Sequence, residues 1–182
     1  MDTVMQKAAH IRLLALDVDG VLTDGRLYFA EDGQELKTFD TQDGHGIKLL
    51  QQSGVACAII TGRNTKLVAR RAGNLGIGHL LQGREDKLVA LRELAGELGI
   101  ALEHIAYVGD DWPDLPAIRA AGLGVAVANA HSELHTHADY VTHLSGGRGA
   151  VREGCDLLLN AQGNYGHALA PDLEHGVNHG HA

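Results

Sequence analysis

Asp17 and Asp19 stand two positions apart, directly after the apolar run Ile11–Leu16, and Gly20 follows them. In an extended chain alternate side chains point to the same side, so both carboxylates face one place. Carboxylates at the end of a buried strand are costly unless a cation or hydrogen bonds offset their charge. The pair therefore indicates a nucleophile with an acid–base partner or, in the simpler interpretation, two aspartates that cap a turn.

Three later segments place polar side chains in comparable positions. Thr61 follows the apolar run Val55–Ile60, and its hydroxyl and the neighbouring amides could hold phosphate oxygens. Asp110 comes shortly after the run Ile105–Val108 and begins a second acidic cluster, which favours a hard divalent cation, Mg²⁺ before Zn²⁺. Lys87 lies on an early turn of a predicted helix. Taken singly, each of these residues has an ordinary explanation as a turn, cap or surface residue.

The elements that carry these side chains are short apolar runs alternating with longer helical patterns, which is typical of a parallel sheet with helices on both faces. The predicted strands are Ile11–Leu16, Val55–Ile60, His79–Leu81, Ile105–Val108, Leu123–Val127 and Tyr140–Val141. The predicted helices are Gly46–Gln52, Lys66–Asn74, Asp86–Leu98, Pro113–Ala121 and Gly149–Ala161. Open α/β sheets bind ligands at the carboxyl ends of their strands, so we expect the polar side chains to meet there. The predicted fold class is α/β and Rossmann-like.

Residues Arg26–Phe39 interrupt this alternation and predict a small β-hairpin flap, with Asp32-Gly33 in its turn. An isolated two-stranded hairpin is marginally stable in water, so it must pack on something, and self-association is one answer. Only 41 residues separate Asp19 from Thr61, and 25 separate Thr61 from Lys87. Neither interval has room for a cap domain. If the polar side chains form an active site, such a site must accept a large substrate or obtain its lid from a neighbouring subunit.

Composition excludes several classes of partner. A net charge of −8 and an aromatic content of 4% argue against nucleic-acid binding. No apolar stretch approaches the roughly 18 residues of a membrane span, and no signal peptide is recognisable, so a cytoplasmic location is expected. Cys57 and Cys155 are expected to be reduced core thiols. We predict one domain over residues 1–163 and a mobile tail containing His and Gly over 164–182.

Together, the polar segments resemble the haloacid dehalogenase superfamily of phosphatases in order, spacing and position at strand ends. The most specific part is the segment Asp17-Val18-Asp19-Gly20-Val21-Leu22-Thr23-Asp24-Gly25. The resemblance implies that Asp17 is a nucleophile that carries an aspartyl-phosphate and that Asp19 is the general acid and base. It further implies that Thr61 and Lys87 bind the transferring phosphoryl group. Mg²⁺ would be held by Asp17, the backbone carbonyl of Asp19 and the side chain of Asp110, with Asp111 and Asp114 in supporting roles.

A finer resemblance links the hairpin and the segments 39–48 and 146–153 to the family of 3-deoxy-D-manno-octulosonate (KDO) 8-phosphate phosphatases. It implies a homotetramer whose sites are completed by neighbouring subunits, with a small anionic sugar phosphate as substrate. The products would be KDO, a lipopolysaccharide precursor, and inorganic phosphate. The implied substrate contacts are Asp19, Asp40, Thr41, Gln42, Asp43, Gly44, Lys48, Arg63, Arg71, Lys87 and Arg148.

Two departures from the family pattern leave other substrates open. Asp40 and Gln42 stand where the family tends to carry an amide and a basic residue, so this segment is less positive and should bind a carboxylate more weakly. One alternative is a phosphatase for a nonulosonate 9-phosphate or another small phosphosugar. An alternative of another class is a catalytically silent scaffold that binds a partner, but such a scaffold is expected to have lost a catalytic aspartate or the lysine, and none is missing here.

Overall fold

The computed structural model describes residues 3–175 of the chain. The strands are β1 (Leu13–Leu16), β2 (Tyr28–Phe29), β3 (Glu35–Leu36), β4 (Ala56–Ile60), β5 (His79–Leu81), β6 (Ile105–Gly109), β7 (Leu123–Ala126) and β8 (Tyr140–Val141). The α-helices are α1 (Thr3–Ala8), α2 (Thr41–Gln52), α3 (Lys66–Leu75), α4 (Lys87–Leu98), α5 (Leu115–Ala120), α6 (Ser132–His137), α7 (Ala150–Ala161) and α8 (Tyr165–His175). Short 3₁₀ turns cover Leu102–His104 and Trp112–Asp114.

Six strands form one parallel sheet in the order β5-β4-β1-β6-β7-β8, and β2 and β3 form a separate antiparallel pair. β1 lies between β4 and β6, and all four of its residues are buried. Its continuous apolar sequence follows from burial on both faces, which is typical of parallel sheets covered by helices. α2 packs against α7, and α4 packs against α5. The α/β fold predicted from the sequence is confirmed, and residues 3–175 contain no cap domain.

Helix α2 begins five residues earlier than the sequence predicted, at Thr41 rather than Gly46. Asp40 is its N-cap, and its Oδ1 accepts hydrogen bonds from the backbone N–H of Gln42 at 2.6 Å and of Asp43 at 3.4 Å. An aspartate is among the residues that stabilise a helix N-terminus best, because its carboxylate satisfies amides that have no partner within the helix. The predicted substrate-binding segment 40–44 is therefore the N-cap and first turn of α2 rather than a loop.

The hairpin is shorter than the predicted Arg26–Phe39. β2 and β3 contribute two residues each, with Tyr28 opposite Leu36 and Phe29 opposite Glu35. Gly33 in the turn adopts φ +82°, a left-handed conformation that glycine accepts without strain. The apolar side chains of the hairpin face solvent in the single chain: Leu27 is 54%, Phe29 64% and Leu36 56% exposed. These three residues are called the hairpin patch below.

The carboxyl-terminal prediction needs a correction, because helix α8 occupies Tyr165–His175 where no regular structure was expected. Tyr165 and Ala168 are half-buried against the core, and they stand at the i, i+3 spacing that one helix face requires. Pro171 lies within this helix. The part of the predicted tail over residues 176–182 lies outside the described residues. The domain boundary at 163 remains a prediction.

Two further expectations concern cysteines and membranes. Cys57 and Cys155 are both buried and form no disulfide, as predicted. Among residues 3–175, the helices are too short or too polar for any of them to cross a bilayer.

Asp43 ties α2 to α7 through a buried carboxylate. Its side chain is 1% exposed, and its Oδ1 accepts a hydrogen bond from the backbone N–H of Arg152 at 2.8 Å. Its Oδ2 is buried without a hydrogen-bond partner. Burial raises the pKa of Asp43 from 3.8 to about 6, against the opposing effect of the hydrogen bond from Arg152. The folded chain therefore binds this proton more tightly than the unfolded chain.

The stabilisation associated with this proton is fully present below the unfolded pKa of 3.8 and is lost as the pH rises through about 6. Asp43→Asn keeps an acceptor for Arg152 and removes the titration. We expect its free energy of unfolding, relative to wild type, to increase by about 1 kcal/mol between about pH 5 and about pH 7. Urea unfolding at both pH values measures this change. A difference between Asp43→Asn and wild type that is the same at both pH values would contradict the prediction.

Candidate active site

A cleft of about 310 Å³ opens at the carboxyl ends of β1, β4 and β6. It is lined by Asp17, Asp19, Gly25, Thr61, Gly62, Arg63, Glu85, Lys87, Asp110, Asp111, Pro113 and Asp114. All four predicted catalytic residues and all three predicted metal ligands are among them. They come together because each follows a strand of the parallel sheet or begins the helix α4, and parallel strands end at one edge.

Gly20 allows the two acidic segments to approach each other closely. Its φ is +91°, and a Cβ placed on it would lie 1.9 Å from Oδ2 of Asp110. Any larger residue would therefore push the Asp110 carboxylate away from Asp17 and would be strained in its own backbone. The glycine that follows the aspartate pair has a defined task, which is to let the chain turn sharply against the second acidic cluster.

Lys87 provides the positive charge at the bottom of the cleft. Its Nζ donates hydrogen bonds to Oδ1 of Asp17 at 2.6 Å and to the carbonyl of Ile60 at 3.0 Å, and lies 3.4 Å from Oδ1 of Asp114. The side chain is only 4% exposed, so the two carboxylates and the carbonyl replace its water. A buried ammonium with these partners can offset negative charge on Asp17 and on a bound phosphate.

Asp114 anchors the loop that carries Asp110. It is 1% exposed; its Oδ1 accepts from the Tyr107 hydroxyl at 2.7 Å, and its Oδ2 accepts from the backbone N–H of Asp110 at 3.0 Å. Gly109 makes room for it, since a Cβ there would lie 2.4 Å from Cβ of Asp114. These contacts agree with the supporting role that the family resemblance implies for Asp114.

The carboxylates are crowded enough to favour a cation. Oxygens of Asp17, Asp110 and Asp114 all lie within 4.8 Å of one another. Burial, and then repulsion from Asp114, raises the pKa of Asp17 to about 7. Burial, and then repulsion from Asp17, raises the pKa of Asp110 to about 8. A hard divalent cation with oxygen ligands relieves such repulsion, so the site fits Mg²⁺, with Asp17 and Asp110 as the side chains that would hold it.

Two residues beside the cleft were not identified from the sequence. Nζ of Lys37 donates a hydrogen bond to Oδ1 of Asp19 and lies 3.4 Å from Oε1 of Glu35. Oε2 of Glu35 accepts a hydrogen bond from Nη2 of Arg63 at 2.7 Å. Glu35 and Lys37 stand two positions apart on the second arm of the hairpin, so their side chains point to the same face. This spacing is the feature of the sequence that could have identified them. The sequence did not show that this arm would lie against the catalytic loop.

Several predicted substrate-binding residues do not line the cleft of the single chain. Arg71 donates to the backbone carbonyl of Asp40 at 2.9 Å and lies over the Phe39 ring, so it is engaged with the start of α2. Asp43 is buried against α7, as described above, and a contact between Asp43 and substrate stays a prediction. Substrate contacts from the other residues outside the cleft stay predictions: Asp40, Thr41, Gln42, Gly44, the exposed Lys48 and the exposed Arg148.

Comparison with known proteins places the chain in a family. Residues 74–151 match the haloacid dehalogenase-like hydrolase family. The KDO 8-phosphate phosphatase of Salmonella typhi is 56% identical over 170 residues, which cover 93% of this chain and 90% of the relative. The chain belongs to the haloacid dehalogenase-like hydrolases.

Solved structures narrow this assignment. A KDO 8-phosphate phosphatase from Moraxella catarrhalis, in complex with magnesium ion, phosphate ion and KDO, is 50% identical with a TM-score of 0.93, and the match covers 94% of this chain and 99% of that one. The cobalt-bound KDO 8-phosphate phosphatase of Haemophilus influenzae is 40% identical with a TM-score of 0.85, covering 88% and 94% of the two chains. Within the hydrolases, the chain's family is that of the KDO 8-phosphate phosphatases.

The raised pKa values predict how metal binding depends on pH. Because a cation competes with protons on Asp17 and Asp110, whose pKa values are about 7 and about 8, Mg²⁺ should bind more tightly as the pH rises through this range. Titration calorimetry should show at least about a tenfold gain in affinity from pH 6 to pH 8, with protons released on binding.

Asp110→Asn should weaken Mg²⁺ binding at both pH values and reduce the number of protons released. Asp139→Asn, which lies at the start of β8 away from the cleft, is the matched control and should bind as wild type does. An affinity that does not change with pH, without proton release, would contradict this account of the cluster.

Proposed function

We propose that this chain is a Mg²⁺-dependent phosphatase that hydrolyses KDO 8-phosphate to KDO and inorganic phosphate, and so supplies a lipopolysaccharide precursor. The observation that carries the proposal is the cleft in which Lys87 and Asp110 flank Asp17, with Asp19 and Arg63 nearby. The family assignment supports the choice of substrate. A cytoplasmic location is part of the proposal, because two unpaired buried thiols fit a reducing compartment.

In the first step, the Asp17 carboxylate attacks phosphorus in line with the departing sugar oxygen. A bond forms between Asp17 and phosphorus while the bond from phosphorus to the sugar oxygen breaks. Asp19 gives its proton to that oxygen, so the sugar leaves as an alcohol. Lys87 and Thr61 hold the oxygens of the phosphoryl group as it passes between them. When bound, Mg²⁺ supplies charge that offsets the repulsion between Asp17 and the phosphate.

In the second step, water attacks phosphorus in the aspartyl-phosphate. Asp19, now a carboxylate, accepts a proton from this water, and the bond between Asp17 and phosphorus breaks. Inorganic phosphate leaves, the Asp17 carboxylate is restored, and Asp19 again carries the proton that the first step needs. The residues therefore return to their starting state after each turnover.

The sugar is selected by groups outside the phosphate site. Arg63 lines the cleft and presents a guanidinium, whose paired donors suit a sugar carboxylate. The Asp40 carboxylate caps the N-terminus of α2 by accepting a backbone hydrogen bond. This contact reduces its repulsion of an incoming anionic substrate. A nonulosonate 9-phosphate would present the same carboxylate and phosphate on a longer chain. The alternatives therefore differ in the distance between the two charged ends of the sugar.

A substrate panel with phosphate detection tests the function. We expect kcat/KM to be highest for KDO 8-phosphate, by about tenfold or more over a nonulosonate 9-phosphate, because a misplaced carboxylate cannot reach the Arg63 donors that Glu35 leaves available. A clear preference for the nine-carbon substrate would replace KDO 8-phosphate with that alternative. No turnover of any sugar phosphate would favour the silent scaffold.

Asp17→Asn is the control that connects turnover to this cleft. We expect it to lower kcat by about 10⁴-fold or more while the chain remains folded, because the amide cannot act as the nucleophile. Asp139→Asn makes the same change of charge at the start of β8 and should keep wild-type turnover.

The hairpin patch supports the proposed homotetramer. Leu27, Phe29 and Leu36 are each more than half exposed on a hairpin whose strands pair only with each other. Leu27 and Phe29 lie on one face of the hairpin and Leu36 on the other. Exposed apolar side chains on a marginally stable element gain stability when a neighbouring subunit covers them. A neighbour seated there would also supply the lid that a single chain without a cap domain lacks.

Phe29→Asp should therefore disrupt the assembly. Since Phe29 is 64% exposed in the single chain, the change should leave the fold intact while it places a charge in the subunit contact. Light scattering should give a tetramer for wild type and smaller species for Phe29→Asp. Val89→Asp on α4, also an exposed apolar position, is the control and should remain tetrameric. A monomeric wild type, or a Phe29→Asp variant that stays tetrameric, would contradict the proposed assembly.

A further inference from the structure

A series of four charged side chains, alternating in sign, links the hairpin to two residues of the cleft. The order is Asp19, Lys37, Glu35 and Arg63, and each neighbouring pair is in contact. Asp19 and Arg63 line the cleft, whereas Lys37 and Glu35 belong to the second arm of the hairpin. The series will be called the hairpin ion network.

Lys37 is buried within this network. Its side chain is 2% exposed, compared with 26% for Asp19 and 19% for Glu35. An ammonium group in such a place is held by its partners, because leaving it unpaired away from water is costly. Within residues 3–175, Lys37 is also the donor that contacts the carboxylate of Asp19. The orientation of the Asp19 side chain therefore depends on Lys37.

The network does more than attach the hairpin to the domain. Attachment alone would not require contacts with residues that line the cleft. The polar contacts instead end on two residues with separate tasks in the proposed reaction: the acid–base group Asp19 and the guanidinium of Arg63. Glu35 connects the two ends, since one of its oxygens lies by Lys37 and the other accepts from Arg63.

We propose that Lys37 is a positioning residue for Asp19. Glu35, which contacts both Lys37 and Arg63, fixes the position of these two side chains relative to each other. The inference rests on the proposed function. It places Lys37 on the leaving-group side of the reaction, where Asp19 delivers a proton, and not on the phosphoryl side, where Lys87 acts. The hairpin then contributes to catalysis from within the same chain, besides any role it has between subunits.

The leaving group of the substrate separates positioning from a general structural role. A sugar alkoxide needs a proton from Asp19, whereas p-nitrophenolate leaves without one. Lys37→Met keeps the length of the side chain and removes its charge. Hydrolysis of the aspartyl-phosphate uses Asp19 with either substrate, so the quantity compared is the rate of leaving-group release in the first turnover. We expect this rate to fall by about 100-fold for KDO 8-phosphate, the loss that follows when a reacting group is displaced by about 1 Å. For p-nitrophenyl phosphate we expect it to stay within about threefold of wild type.

Lys7→Met is the matched control, because it removes a lysine–aspartate pair, with Asp139, away from the cleft. It should leave kcat unchanged on both substrates. Equal losses of the first-turnover rate for Lys37→Met on both substrates would overturn the inference and indicate a structural role. A wild-type enzyme that turns over p-nitrophenyl phosphate but not KDO 8-phosphate would instead count against the proposed function.

Glu35→Gln provides a second, milder test in case Lys37→Met unfolds the hairpin. The amide retains the shape of the side chain but no longer attracts Lys37 and Arg63 by charge. We expect a smaller loss of the first-turnover rate for KDO 8-phosphate together with a raised KM, and no loss of the first-turnover rate for p-nitrophenyl phosphate. A loss of this rate that is the same on both substrates would again contradict the positioning role.

Discussion

The structure depends on the grouping of three carboxylates, two of them buried and one half-buried, around one lysine at the carboxyl edge of the sheet. The single ammonium group of Lys87 lies among the carboxylates of Asp17, Asp110 and Asp114. Its side chain is 4% exposed and donates a hydrogen bond to Asp17 at 2.6 Å. One ammonium does not neutralise three carboxylates, and the raised pKa values of Asp17 and Asp110 express this imbalance. The imbalance is what makes the cleft suitable for a divalent cation and a phosphate together.

The surrounding scaffold exists to hold this arrangement together. Parallel strands bring their carboxyl ends to one edge, so Asp17 and Asp110 become neighbours although they are far apart in sequence. Gly20 and Gly109 have no Cβ where a Cβ would meet Asp110 and Asp114, respectively. The Tyr107 hydroxyl fixes Asp114 from inside the sheet at 2.7 Å. The site is therefore built largely by residues that never need to touch substrate.

The strands, and the meeting of Asp17, Thr61 and Asp110 at their carboxyl ends, could be predicted from the sequence, because a strand buried on both faces is an uninterrupted apolar run and its polar end is conspicuous. The start of α2 was missed because glycines at 44 and 46 obscure its helical pattern, although Asp40 is a good N-cap. Helix α8 was not predicted, because the apolar residues of this segment do not recur at a clear helical period. Lys37 and Glu35 could not be found, because their role depends on where the hairpin docks.

Trapping the phosphoenzyme tests the central claim, nucleophilic catalysis by Asp17, most directly. Enzyme mixed with KDO 8-phosphate and Mg²⁺ would be acid-quenched through the first turnover and then reduced with borohydride, which converts an aspartyl-phosphate to homoserine. Mass spectrometry of the peptide that contains both Asp17 and Asp19 then locates the change. We predict homoserine at position 17, with Asp19 unmodified. Homoserine at another aspartate, or none at any time during a productive first turnover, would contradict the account.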